Sequence, residues 1–473
     1  MGTEIRRPAS ARRPLHERFV APGPSGGAEA EAADRRGLYA GEPEACRRRL
    51  FPFLRSMALL GLLLANFHYY EIEGRAFLAL MTLATAALPV HYLAPYRWKK
   101  RLFIAASIGG LYWVLGTAPA TAVVGISASL IGVCYLPIRW GARAAIVAVM
   151  ALGMAVAKAQ GMLAFIPATA WPIAGTMLMF RLIIYMYELK HAKKPEGLAD
   201  TLGYFFLLPN YCFLHFPVVD YRTLQRGYFA ADVHATQLRG LMMMYRGMVH
   251  LLCYRLIYHD YLIPPGDVSG PLSLAGYLAC NYLLYLRVSG QFHVACGALH
   301  LFGYQLPETH HHYLLAAGFT DYWRRVNIYW KDFMVRVFFN PVVFRLKRWP
   351  QPAALAVATV VVFLTTWILH AYQSFWLRGS WGFSVQDALF WGILGVLVVI
   401  NVQLDARRGP ARGRASARKD AAEDAAGVRL LHAAIRGLKT AGTLVTLALL
   451  WSLWYSPSLP AWLVMMRRGL LGA

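Results

Sequence analysis

Long apolar runs punctuated by short basic clusters lay out this chain. Residues 102–138 make 37 positions without a charge, 159–180 make 22, 353–369 make 17 and 440–455 make 16. A helix needs roughly 20 mostly apolar residues to cross the hydrocarbon of a bilayer, so these windows predict membrane spans. The segments fall at 51–70, 76–96, 142–157, 161–187, 236–263, 269–286, 288–305, 353–377, 384–404 and 440–456. The run 102–138 is too long for one crossing, and Thr117, Ala118 and Pro119 interrupt it near its middle, so it reads as two helices. Together they give an all-α polytopic membrane protein with roughly ten to twelve crossings.

Two stretches break the pattern. Residues 201–230 are aromatic and apolar but carry Pro209, Asn210, His215, Pro217, Asp220 and Arg222. Irregular backbone cannot face lipid, which offers its N–H and C=O groups no partner. This stretch is expected to be re-entrant, interfacial or buried in protein. Residues 320–348 mix charge with aromatics and read as an interfacial amphipathic helix, on which Trp323, Asn327 and Trp330 share one face at i, i+4 and i+7.

Composition agrees with the pattern: 58% of the 473 residues are hydrophobic and 15% charged, against about 25% charged in soluble domains. The net charge of +24 raises the question of nucleic acid. It is dispersed, however, with ten Arg against seven acids in 1–49 and nine Lys/Arg against four acids in 405–439. Scattered basic loops suit the positive-inside rule and anionic headgroups better than a nucleic-acid face. The chain is read as a disordered cytoplasmic arm, 1–49, and one membrane domain, 50–473, with a basic loop at 405–439. Six separated cysteines without a CxxC pair indicate neither disulfides nor zinc. The triplet His310-His311-His312 reads as a loop, because consecutive residues share no helix face for a metal.

Ionisable residues inside apolar helices are costly and usually functional. His370 follows 17 uncharged residues and supplies a group able to take and return a proton near neutral pH. A hydrogen-bonded histidine at a helix end is the plainer alternative. For the block 321–333 the plainer alternative is an aromatic belt with snorkelling arginines. There is no GxxxxGK[ST], strand-linked GxGxxG or GxSxG motif to support nucleotide or hydrolase chemistry.

The string Asp321-Tyr322-Trp323-Arg324-Arg325-Val326-Asn327-Ile328, followed by the embedded His370, resembles the signature pair of the membrane-bound O-acyltransferase family. The runs 202–210, 282–290 and 301–304 are similar to that family as well, with the best match of order and spacing over 195–405. Within the family, 282–333 looks closest to the bacterial branch acting on cell-envelope polymers such as alginate and teichoic acids. That branch usually has His where this chain has Asn327, and the common Trp-His-Gly context is replaced here by Leu369-His370-Ala371. The resemblance implies a ring of about eleven helices around a thinned centre, His370 as catalytic base and Asn327 as the second signature polar group. It further implies Trp323, Arg324, Arg325 and Asp332 on the substrate path, the two arginines pairing with donor phosphates. Acyl-CoA or an acylated carrier protein would be co-substrate, with no permanently bound cofactor and no metal. The acceptor would be a hydroxyl of a glycan, lipid or polymer in the envelope, the location a bacterial inner membrane, and an extracytoplasmic protein a possible partner. Two other classes compete: a transporter or flippase for a lipid-linked or anionic substrate, with His370 and Arg287 along its pathway, and an inactive relative serving as a scaffold.

Overall fold

The computed structural model describes residues 43–191, 197–208, 219–422 and 426–472, so most of the expected N-terminal arm and residues 209–218 of the irregular stretch lie outside the described residues. Among the described residues there is no β-strand, and eight helices are long and apolar enough to cross a membrane. This is a multi-pass membrane protein.

The first five helices form an antiparallel run: α1 (Leu50–Tyr69), α2 (Arg75–Leu93), α3 (Tyr96–Leu115), α4 (Thr117–Tyr135) and α5 (Trp140–Ala159). In α1 the buried positions are Phe53, Ser56, Leu60, Leu63 and Phe67, a stripe at steps of three and four. Leu50, Phe51, Leu54 and Leu62 point outward, as a lipid-facing surface requires. The run expected to divide near Thr117 does divide, at Gly116, whose φ of 81° lets the chain reverse between α3 and α4. The basic cluster Arg97, Lys99, Lys100 and Arg101 opens α3. There Lys99 is buried and donates to the carbonyls of His91 and Tyr92 at 2.6 and 2.8 Å, closing the C-terminus of α2.

A sixth span, α6 (Ala170–Lys190), passes through a π-helical turn at Ile173–Leu178. Short helices α7 (Leu198–Phe205) and α8 (Tyr221–Gly227) follow, then the long α9 (Val233–Leu256), α10 (Pro271–Leu283) and α11 (Leu286–Leu301). The second half comprises α12 (Phe319–Arg325), α13 (Ile328–Met334), α14 (Asn340–Arg345), α15 (Gln351–Arg378), α16 (Val385–Ala422), α17 (Ala426–Tyr455) and α18 (Leu459–Leu471). The basic segment 405–439, expected as a loop, is helical on both sides of the undescribed residues 423–425. Its alanines and arginines are strong helix formers, and that propensity overrides its polarity.

Contacts sort the helix ends into two sets. At one end Tyr92 accepts the Arg49 N–H at 2.8 Å, Lys100 pairs with Asp200, and the hydroxyls of Tyr135 and Thr201 lie 2.6 Å apart. Arg49, Lys100, Arg101, Arg139, Lys190 and Arg222 cluster here, and we call it the basic end. At the far end Arg287 forks onto Glu73 at 3.0 and 2.8 Å, Arg255 donates to the Glu71 carbonyl, and Lys158 lies over the Phe375 ring. One core cluster fills the space between α1, α2, α9 and α11; a second joins α12, α13, α15, α16 and α17.

Candidate functional site

His370 is carried on the inward stripe of α15, one turn after Thr366 and two after Val362. Thr366 sends its hydroxyl back to the Val362 carbonyl at 2.8 Å, and its own carbonyl lies 2.8 Å from His370 Nδ1. A carbonyl only accepts, so Nδ1 carries the hydrogen and Nε2 of the neutral ring holds the free lone pair. The imidazole is boxed by indoles: Trp391 at 4.7 Å, Trp330 at 5.5 Å and Trp454 at 6.5 Å between ring centroids. Trp454 is itself fixed by its N–H on the Asp387 carboxylate. The indole N–H groups of Trp330 and Trp391 are buried and meet no acceptor.

Asn327 sits where the expected helix breaks. Its φ of 40° and ψ of 61° are left-handed, a conformation asparagine tolerates better than most residues. The expected single face of Trp323, Asn327 and Trp330 therefore does not exist: the segment is two short helices, α12 and α13, with Asn327 as N-cap of the second. Its Oδ1 accepts from the backbone N–H of Trp330 at 3.4 Å. The Trp330 ring in turn faces His370, so Asn327 and His370 stand on either side of one tryptophan. Two backbone bonds hold the junction, Ile328 N–H to the Thr309 carbonyl at 2.8 Å and His311 N–H to the Arg325 carbonyl at 3.0 Å.

The residues expected to meet substrate are distributed differently. Trp323 packs on Phe363 of α15, with ring centroids 4.8 Å apart. Arg324 is exposed, while Arg325 is held by Asp321 at 2.7 Å within α12. Asp332 pairs with Lys331 and lines a cavity of about 110 Å³ together with Tyr187, Asp220, Tyr329 and Arg336. Beside it is a network that the sequence did not disclose. The buried carboxylate of Glu188 receives Arg222 at 2.6 Å and also Arg336, which reaches Asp220 at 2.7 Å. Its members come from 188, 220–222 and 336, too far apart in sequence for any spacing to reveal them.

A second group also escaped the sequence. His310, read as loop, is indeed outside any helix, but it is buried, and its Nε2 lies 3.0 Å from the Tyr285 hydroxyl. Burial holds its imidazole well below the usual histidine pKa, so it is neutral at pH 7. His293 lies between it and His250, with ring centroids 5.9 and 5.4 Å away. Among the described residues no three His, Cys, Asp or Glu side chains converge as a metal cage. His250 and His293 had only their occurrence in apolar segments to mark them, and His310 only its place in a triplet read as a loop. The chain matches no protein-family model, and a search of curated proteins finds no match either.

Proposed function

We propose that the protein is an integral-membrane O-acyltransferase of the membrane-bound O-acyltransferase type. It moves an acyl group from a thioester donor, acyl-CoA or an acylated carrier protein, to a hydroxyl of an envelope glycan, lipid or related acceptor. The observation that carries this reading is His370: an imidazole within a membrane helix whose Nδ1–H is committed to Thr366, leaving Nε2 as a base. Nε2 takes the proton of the acceptor hydroxyl as its oxygen attacks the thioester carbonyl. The C–S bond then breaks, and the proton passes from the imidazolium to the departing thiolate. Positioned general-base catalysis of this kind contributes about 10²–10⁴-fold. The tryptophan walls exclude water, and the unpartnered indole N–H groups are suited to a carbonyl oxygen gaining charge.

Asn327 acts through Trp330 by fixing where that ring stands against His370, a positioning role in addition to any contact with substrate. In this reading the basic end faces the cytoplasm, as the positive-inside rule favours, the donor arrives from that side, and the membrane is a bacterial inner membrane. The charged cavity at Asp332 and Arg336 opens among residues of that end. The transport alternative rested partly on Arg287, and that guanidinium is occupied by Glu73.

The test is transfer of radiolabelled acyl groups from acyl-CoAs of several lengths into membrane fractions holding wild type, His370→Ala or Asn327→Gly at equal protein level. Wild type is expected to label a lipid or polymer fraction and His370→Ala to lose that label. Label that persists without His370 overturns the assignment. Asn327→Gly keeps the left-handed backbone while deleting the amide, so its activity separates the amide's role from that of the fold.

A further inference from the structure

A cavity of about 660 Å³ opens between α4 and α5, within the range of roughly 300–1,000 Å³ usual for ligand sites. Its floor is a row on α4 in steps of four, Thr117, Thr121, Gly125 and Ser129; Met150 and Met154 of α5 form one wall. Residues four apart stack on one helix face, so small side chains along the row leave a furrow. A Cβ added at Gly125 would meet nothing within 4 Å. The neighbouring α5 buries none of its residues. The row spans twelve residue steps, ~18 Å at 1.5 Å per residue, rather more than half of a ~30 Å hydrocarbon core. It runs from the far end to mid-membrane.

An apolar furrow at this depth has bilayer chains as its neighbours, and water has too few partners there to fill it. A charge stands beside the lining, on the residue one turn past Met154. Lys158 lies one turn beyond Met154 on the same face of α5, its Nζ 4.8 Å from the Phe375 ring and 5.9 Å from Trp376. No carboxylate pairs with it among the described residues. Small-residue floor, hydroxyl-bearing upper row and unpaired cation together have the shape of one amphiphile. We propose that this groove is a binding site for a single anionic phospholipid, one acyl chain lying along Thr117–Ser129 and the phosphate at Lys158. The bound lipid supplies the packing that α5 lacks in the protein itself. The rings around His370 are Trp330, Trp391 and Trp454, none of which lines the groove, so the site is separate from the catalytic proposal and stands without it.

Native mass spectrometry of the full chain released from mixed phosphatidylcholine–phosphatidylglycerol nanodiscs tests this. Wild type is expected to retain one phosphatidylglycerol. Gly125→Leu fills the furrow and should cut that occupancy by about tenfold or more, a binding change of ~1.4 kcal/mol. Lys158→Ala should keep a bound lipid but lose the preference for phosphatidylglycerol. Gly132→Leu adds equal bulk to the same face of α4 below the cavity, also into open space, and should bind as wild type. Unchanged retention in Gly125→Leu, an intact preference in Lys158→Ala, or a loss in Gly132→Leu equal to that in Gly125→Leu would each overturn the proposal.

Discussion

Two helix pairs in this molecule use small residues to opposite ends. Between α9 and α11, Gly240 faces Gly297 and Gly247 faces Gly290, so each helix presents a pair of glycines seven residues apart on one face. A Cβ at Gly240 would lie 2.6 Å from the Gly297 carbonyl oxygen, and one at Gly247 would lie 2.6 Å from that of Gly290. Here the missing side chains bring two backbones together, the usual way helices associate where lipid removes the hydrophobic drive. Between α4 and α5 the same economy of side chains leaves a furrow, because the opposing row is methionine and lysine. Small residues on one helix are thus only half of a close contact. The partner's face decides whether the result is a seam or a site.

The largest effect is expected at the seam. Gly297→Val puts a branched side chain where a Cβ alone would meet Met244 Cγ at 2.4 Å and the Gly240 carbonyl oxygen at 2.5 Å. Backbone cannot yield as a side-chain tip can, so the cost should exceed the ~1–3 kcal/mol usual for overpacking, read as loss of monodisperse protein in gel filtration. Gly247→Ala adds one methyl against Gly290 and Val294; about 1–3 kcal/mol of destabilisation is expected, visible as a lower thermal midpoint in detergent. A near-wild-type midpoint there would mean that the seam can open by some tenths of an ångström without cost.

The α12–α13 junction sets an intermediate scale. Asn327→Ala removes the cap on Trp330 and puts a β-carbon residue without asparagine's local hydrogen bonds at φ 40°. About 1 kcal/mol is expected from the cap, whereas Asn327→Gly should recover most of it, since glycine is relaxed in that backbone region. Thermal midpoints of the two variants, compared with each other, test this; equal losses would show that the left-handed geometry contributes nothing at this position.

The sequence made some of this legible and hid the rest for identifiable reasons. Charge-free windows announced the apolar helices, because burial in lipid acts on every residue of a span and leaves a continuous signal. The division of 102–138 was readable for the same local reason: Thr117, Ala118 and Pro119 lie in the run itself. The break at Asn327 was not, since the block 321–333 has helical periodicity throughout. What stops the helix is a tertiary pairing of Thr309 and His311 with the junction. The Glu188 network and the histidines at 250, 293 and 310 depend on chain crossings that no spacing encodes. Residues 405–439 misled by polarity, which says where a segment meets water and not whether it is helical.

The smallest expected change carries the most information about the contrast, because it has the opposite sign. Gly125→Ala on α4 adds the same methyl that Gly247→Ala adds on α9, in a helix of similar depth. No atom lies within 4 Å of the new Cβ, so there is no clash to set against the gain in helix propensity. Alanine in place of an interior glycine stabilises a helix by roughly 0.5–1 kcal/mol. The thermal midpoint in detergent should therefore stay level or rise slightly while that of Gly247→Ala falls. A fall in both would mean that α4 and α5 close on each other outside the bilayer, making the furrow a seam held open by its lipid. Opposite signs would show that the gap belongs to the protein, set by the side chains of α5 before any lipid enters.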